Sequence, residues 1–146
     1  MSQDTNKRIV QPYLSFEGRC EEALEYYRKT IGAEVTKLLR YKDSPDPSMS
    51  APDSLDKVMH ASLRIGETTV FASDGRCGGK LNFQGIWLAL TAPDEADAQR
   101  LFDALAEGGQ VQLPLTKTFF SPRFGIVTDR LGVSWMIQAA TPPQKG

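Results

Sequence analysis

Two stretches of this chain spell the same local design, and that duplication constrains the fold more than any other feature. Phe119 to Gln138 reads as a strand, a tight turn at Arg130-Leu131-Gly132, and a returning strand. β-branched and aromatic residues fill both arms, and Gly132 can take the positive φ that a short hairpin needs. Val58 to Ile65, Gly66, and Thr68 to Ser73 repeat the design. A chain that writes one unit twice is expected to fold as two halves of like topology.

The flanking segments extend the pattern. From Arg8 to Phe16, Val10, Leu14 and Phe16 alternate with Gln11, Tyr13 and Ser15, the period of a half-buried strand. Pro12 has no N–H to give a ladder, so this strand belongs at an edge or a bulge. Glu21 to Ile31 carries Ala23, Leu24, Tyr27 and Ile31 at helical spacing. Glu21 and Glu22 open it, Arg28 and Lys29 stand near its end, and Gly32 stops it. Tyr26 falls beside that stripe and is expected at the surface. Glu34 to Arg40 reads as a strand. In the second half Ile86, Leu88 and Leu90 alternate with Gly85, Trp87 and Ala89. Pro93-Asp94-Glu95 then opens a helix, with Thr91 or Asp94 near its cap. Its stripe is Ala98, Leu101, Phe102 and Leu105, and Gly108-Gly109 ends it. A short strand, Gln110 to Leu113, leads through Pro114 to the final hairpin.

The order is strand, helix, three strands, twice over. It predicts an α+β fold of tandem βαβββ repeats, a concave rolled mixed sheet with helices on its outer face. One domain over 8–139 is expected, with repeat 1 at about 8–75 and repeat 2 at about 82–139. Asp43 to Asp56 holds Pro45, Pro47 and Pro52 without any period and is expected to be a flap or a spacer; 1–7 and 140–146 are expected to be loose ends. If each helix covers one face of its sheet, the opposite faces carry Gln11, Tyr13, His60, Ser62, Arg64, Trp87, Ser134, Met136 and Gln138. A trough lined by such residues suits a small ligand.

The net charge of −1 gives no general attraction to nucleic acid or an anionic membrane. No apolar run approaches the ~20 residues that span a bilayer, and Met1 to Arg8 lacks the apolar core of a signal peptide. A cytoplasmic address is the expectation. Cys20 and Cys77 are expected as two reduced thiols rather than a disulfide framework.

His60 is the sole histidine, and on the polar face of its strand it is a candidate general base. The alternative is a hydrogen-bonded structural histidine. Asp74 is its candidate partner, although Asp-Gly is equally a turn signal. Trp87 is a candidate stacking surface and Phe119, Phe120 and Phe124 are candidate pocket walls, with core packing the alternative for hairpin aromatics, while Trp135 reads as core. Gln11, Tyr13, Arg64 and Met136 complete the candidate ligand contacts. Arg64 and Arg123 are candidates for an anionic ligand group, or ordinary solvated arginines.

The whole pattern resembles the vicinal oxygen chelate superfamily of glyoxalase I, bleomycin-resistance proteins and extradiol dioxygenases, and within it the PhnB-like branch. The resemblance rests on Pro12-Tyr13-Leu14-Ser15-Phe16 followed by Ala23-Leu24-Glu25-Tyr26-Tyr27, on His60-Ala61 before Ile65-Gly66, and on Ser73-Asp74. It rests also on Phe124 to Asp129 and Gly132 to Ile137. The branch is sometimes labelled with a ubiquinone-pathway methyltransferase activity, yet this chain has no glycine-rich strand-to-helix turn for a nucleotide cofactor. The superfamily's metal-using members hold a divalent ion with four side chains, and by strand position these map to Gln11, Val70, Gly85 and Met136. A slip of one residue would substitute Phe71 or Gln84. Neither set assembles three good donors, so no metal and no cofactor are expected. What the resemblance implies is a metal-free small-molecule binder, or alternatively a metal-independent lyase or isomerase acting through His60 and Asp74. It also implies a homodimer, with the option of exchanged halves.

Overall fold

The computed structural model describes residues 7–45, 55–75 and 80–141. Most of the expected flap at 43–56 lies outside the described residues, as do Cys77 and the greater part of the expected loose ends. The chain divides into two compact units, Met1–Lys80 and Leu81–Gly146.

The first unit contains β1 (Tyr13–Ser15), α1 (Cys20–Ile31), β2 (Glu34–Arg40), β3 (Val58–Ile65) and β4 (Thr68–Ser73). Its sheet runs in the order β1-β4-β3-β2. β1 pairs parallel with β4, and the β3–β4 and β2–β3 pairs are antiparallel. The second unit repeats this with β5 (Trp87–Ala92), α2 (Glu95–Ala106), β6 (Gln110–Thr116), β7 (Phe124–Thr128) and β8 (Ser134–Ala139). The order there is β5-β8-β7-β6, again with one parallel pair, β5 with β8.

Each helix seals one face of its own sheet. On α1, Cys20, Ala23, Leu24, Tyr26 and Tyr27 are buried, and Leu14, Val58, Ala61, Leu63, Val70 and Ala72 are the buried apolar strand residues of that unit. Tyr26, expected at the surface, is therefore core. Its ring packs tilted against that of Tyr27, with centroids 5.1 Å apart. Gly32 closes α1 in the left-handed conformation and donates its N–H to the Tyr27 carbonyl. On α2, Ala98, Leu101, Phe102 and Leu105 are buried as expected, and Asp94 caps the first turn by accepting the Asp97 N–H. Gly125 lies directly under the Phe102 ring, where a Cβ would stand 2.8 Å from Cε2. A side chain at this position would lift α2 off β7.

Four expectations need correction. The first strand is three residues long, not nine, and Val10 is 98% exposed rather than apolar core. The ladder ends at Pro12, which accepts from the Phe71 N–H and has no N–H to return. Ile86 also lies before its strand and is exposed. Phe119 to Arg123 is not strand: Pro122 interrupts it, and Thr118 and Ser121 tie it into a loop through reciprocal bonds. Lastly, β6 continues through Pro114 to Thr116, since an edge strand with register shifts tolerates a missing donor.

Among the described residues, no helix is long and apolar enough to cross a membrane.

Candidate functional site

The sheet face opposite α1 carries a group of polar and aromatic side chains. Register sets it up. Tyr13 pairs with Phe71 across β1 and β4, and Phe71 with Ser62 across β4 and β3. His60 lies two residues before Ser62 on the same face. The three rings of Tyr13, His60 and Phe71 pack tilted on one another, with centroids 5.7, 6.0 and 5.1 Å apart. The Tyr13 hydroxyl is 3.4 Å from His60 Nδ1, and the Ser62 Oγ is 3.5 Å from Nε2. Both nitrogens of the imidazole thus face hydroxyl groups, one on each side. Both contacts are long for hydrogen bonds. Tyr13 is 55% exposed, so this network opens outward.

Asp74 does not take part in it. Only 1% of Asp74 is exposed. One carboxylate oxygen accepts the Cys20 N–H at 2.6 Å, and the other accepts the Val58 N–H at 2.7 Å. The expected His60–Asp74 pair is not assembled, and the physical reason lies in α1. Arg19 offers no side-chain cap, so the first amide of the helix takes its acceptor from Asp74, 54 residues away. The same burial, together with the negative charges of Asp74 and Glu21, pushes the Cys20 thiol up to about 12. Cys20 is a free, buried thiol.

The remaining expected contacts divide between the units. Gln11 donates its amide to the Thr69 carbonyl at 3.0 Å. Arg64 forms an ion pair with Glu34 on the neighbouring strand instead of standing free for a ligand. In the second unit Met136 lies on the face away from α2, between Ala89 and Ile126. Trp87 is 48% exposed and pairs with Ser134. Phe119 is fully exposed, and its ring meets Phe120, which in turn meets Phe124 edge-on. Arg123 reaches Glu95 at 3.3 Å. Trp135 is core, and its indole N–H donates to Asp129 at 2.8 Å.

The four positions mapped for an ion differ in what they offer. Val70 faces the buried side of its sheet, and Phe71 occupies the opposite face. Gly85 lies in the turn before β5. Gln11 and Met136 remain, an amide already hydrogen-bonded and a soft thioether. Among the described residues, no three His, Cys, Asp or Glu side chains come together in a way that could hold an ion.

Two contributors went unnoticed in the sequence reading. Lys37 pairs directly with Ser62, but a register shift at Thr36 breaks the alternation that would have placed it. Asp129 takes the Leu131 and Val133 N–H groups on one oxygen and the Trp135 indole on the other. An aspartate just before a Gly-containing turn is the signal that could have found it.

Comparison with known proteins gives this geometry a family. Residues 8–138 match the family described as 3-demethylubiquinone-9 3-methyltransferase. Protein YjdN of Escherichia coli K12 is 34% identical over 136 residues, covering 88% of this chain and 92% of YjdN. The chain is a PhnB-like member of that family, within the vicinal oxygen chelate superfamily. The PhnB-like chain also aligns with the structure of PA1353 from Pseudomonas aeruginosa at 39% identity and a TM-score of 0.79, over 90% of this chain and 97% of that one. With a structure titled as a putative 3-demethylubiquinone-9 3-methyltransferase, PhnB protein, from Bacillus cereus, the values are 27% and 0.74, over 91% and 100%. Its two units of four-stranded mixed sheet and one helix are the α+β, glyoxalase-like fold of the superfamily.

Proposed function

We propose that this PhnB-like chain binds a small organic molecule on the sheet faces opposite its helices, without a metal ion. The observation that carries the reading is the Tyr13–His60–Phe71 ring group, presented outward and edged by two hydroxyls. The donor chemistry supports the metal-free part: the mapped positions offer one hydrocarbon side chain, one glycine without a side chain, one amide and one thioether. Methyl transfer finds no support in the strand-to-helix connector. It has a single glycine, Gly18, and the first amide of α1 is already held by Asp74. In the same reading the protein is a homodimer, favoured by the exposed Val111 and Leu113 on edge strand β6.

The test is thermal unfolding with a panel of small aromatic and polar compounds in the presence of a chelator. A ligand at a hundred times its dissociation constant stabilises by about 2.7 kcal/mol, which raises the melting temperature by roughly 5–10 °C for a chain of this size. Tyr13→Ala and His60→Ala should abolish the shift. A panel without any effect, or an effect that vanishes with the chelator, overturns the proposal.

A second reading, proton transfer at His60, is favoured by the Tyr13 hydroxyl at Nδ1. It predicts turnover that is lost in both His60→Ala and Tyr13→Phe. Turnover retained in either variant rejects it.

A further inference from the structure

The charges of the strands give the ligand an identity by class. No strand of the second unit, from β5 to β8, contains an ionisable side chain. In the first unit, β2 and β3 supply Glu34, Lys37, Arg40, His60 and Arg64. Glu34 and Arg64 neutralise each other. Arg40 forms two hydrogen bonds to Glu21, at the start of α1. Among the described residues Lys37 has no carboxylate within ion-pair distance, and it is exposed.

Its position is defined by register. Lys37 is the direct cross-strand partner of Ser62, and Leu39 that of His60. Direct partners in an antiparallel pair face the same side, with Cβ atoms about 5 Å apart. Lys37 therefore rises from the same face as Ser62, His60 and Phe71, and its four-carbon stem can carry the ammonium over the rings. A cation with no counter-charge among the described residues, beside two hydroxyls, an imidazole and a stacking ring, is the complement of one kind of molecule.

We infer that the first sheet of this protein takes a planar aromatic or conjugated carboxylate, its anionic group held by Lys37 and its ring laid against Phe71 and Tyr13. This rests on the binding reading above and narrows it. Ser62 and His60 stand where they can hydrogen-bond a carboxylate oxygen or a ring hydroxyl. The selectivity comes from charge: a neutral molecule of the same shape leaves the ammonium to water and gains only the stacking. Nothing in this arrangement requires the second unit, whose strands bring no charge.

The experiment uses the full chain without an affinity tag, in chelator, so that His60 gives the one histidine signal in a proton–carbon NMR spectrum. The probes are 4-hydroxybenzoate and its methyl ester. Titration with the acid should shift the imidazole signal saturably, and the ester should bind far more weakly. Lys37→Met should weaken the acid about tenfold, the loss of one charge-assisted hydrogen bond, while leaving the ester unaffected. Lys37→Arg should restore most of the affinity. Equal affinities for acid and ester, or an acid affinity unchanged in Lys37→Met, overturn the inference while leaving small-molecule binding intact. So does an imidazole signal that neither probe moves at millimolar concentration. Failure of the binding reading itself shows differently, as the absence of any stabilising compound in the panel.

Discussion

Asp74 is expected to be a fastener between elements, and its replacement separates that role from catalysis. Its carboxylate satisfies two buried amides, Cys20 N–H and Val58 N–H, and so ties the start of α1 to the start of β3. Asp74→Ala strands both donors. A buried donor left without an acceptor costs about 1–3 kcal/mol, so the pair amounts to about 4 kcal/mol. Loss of a negative charge from a helix N-terminus adds some tenths more. Asp74→Asn keeps one acceptor and should cost about 2 kcal/mol. With a urea dependence of about 2 kcal/mol per molar, the midpoints fall by about 2 M and 1 M. Urea unfolding followed by far-ultraviolet circular dichroism reads this directly, because α1 contributes to the signal. Asp74→Asn should leave the His60 ring and its response to ligand unchanged below the transition. A variant that unfolds at the wild-type midpoint yet loses the His60 response would refute the reasoning and restore the catalytic pair.

Three further outcomes follow from the geometry. Gly75→Ala should destabilise by about 2 kcal/mol or more, because the residue sits at a φ of 57° and a Cβ there would run into the Ser15 hydroxyl and the Glu17 carboxylate; a thermal melt within a degree of wild type would contradict it. In a Cys77→Ser background, Cys20 should resist iodoacetamide at pH 8 in the folded protein and react fully in denaturant, since burial holds its thiol up at about 12; mass spectrometry counts the adducts. The hydrogen bonds from Arg40 hold the Glu21 carboxyl below its ordinary range. Its contribution is therefore complete above the unfolded-state value and fades as pH falls through the lower, folded one. For a pair this exposed the effect is about 0.5 kcal/mol, and Glu21→Gln should remove that much of the acid dependence of unfolding and no more.

Much of the scaffold was legible because its signals are local. The spans Glu34–Arg40, Val58–Ile65 and Thr68–Ser73 were read at their observed bounds, since alternation and turn glycines bracket them. The α2 stripe was equally plain. What failed was information held by a partner. Val10 alternates correctly but has no strand beside it among the described residues. Phe119 and Phe120 have strand-like chemistry, but Thr118 and Ser121 close a loop around them. Tyr26 is off the stripe, yet its ring is covered beside Tyr27. For the site, His60 and Tyr13 were picked out by chemistry, and their contact confirms that they share a face. Asp74 was given to the wrong neighbour because two backbone amides leave no trace in a sequence. Lys37 was passed over because one extra residue at Thr36 shifts the register of its strand.

The hydrogen bond from Trp135 to Asp129 has a practical corollary for anyone who studies this protein by its emission. Both tryptophans lie in the second unit, one clasped by the carboxylate that also shapes the hairpin turn, the other half open to solvent. Fluorescence excited at the red edge thus originates from the second unit alone. A quench or spectral shift on adding a compound would therefore be read at Trp87 or Trp135, whereas the first unit, whose aromatic reporters are tyrosines and phenylalanines, calls for the His60 resonance instead.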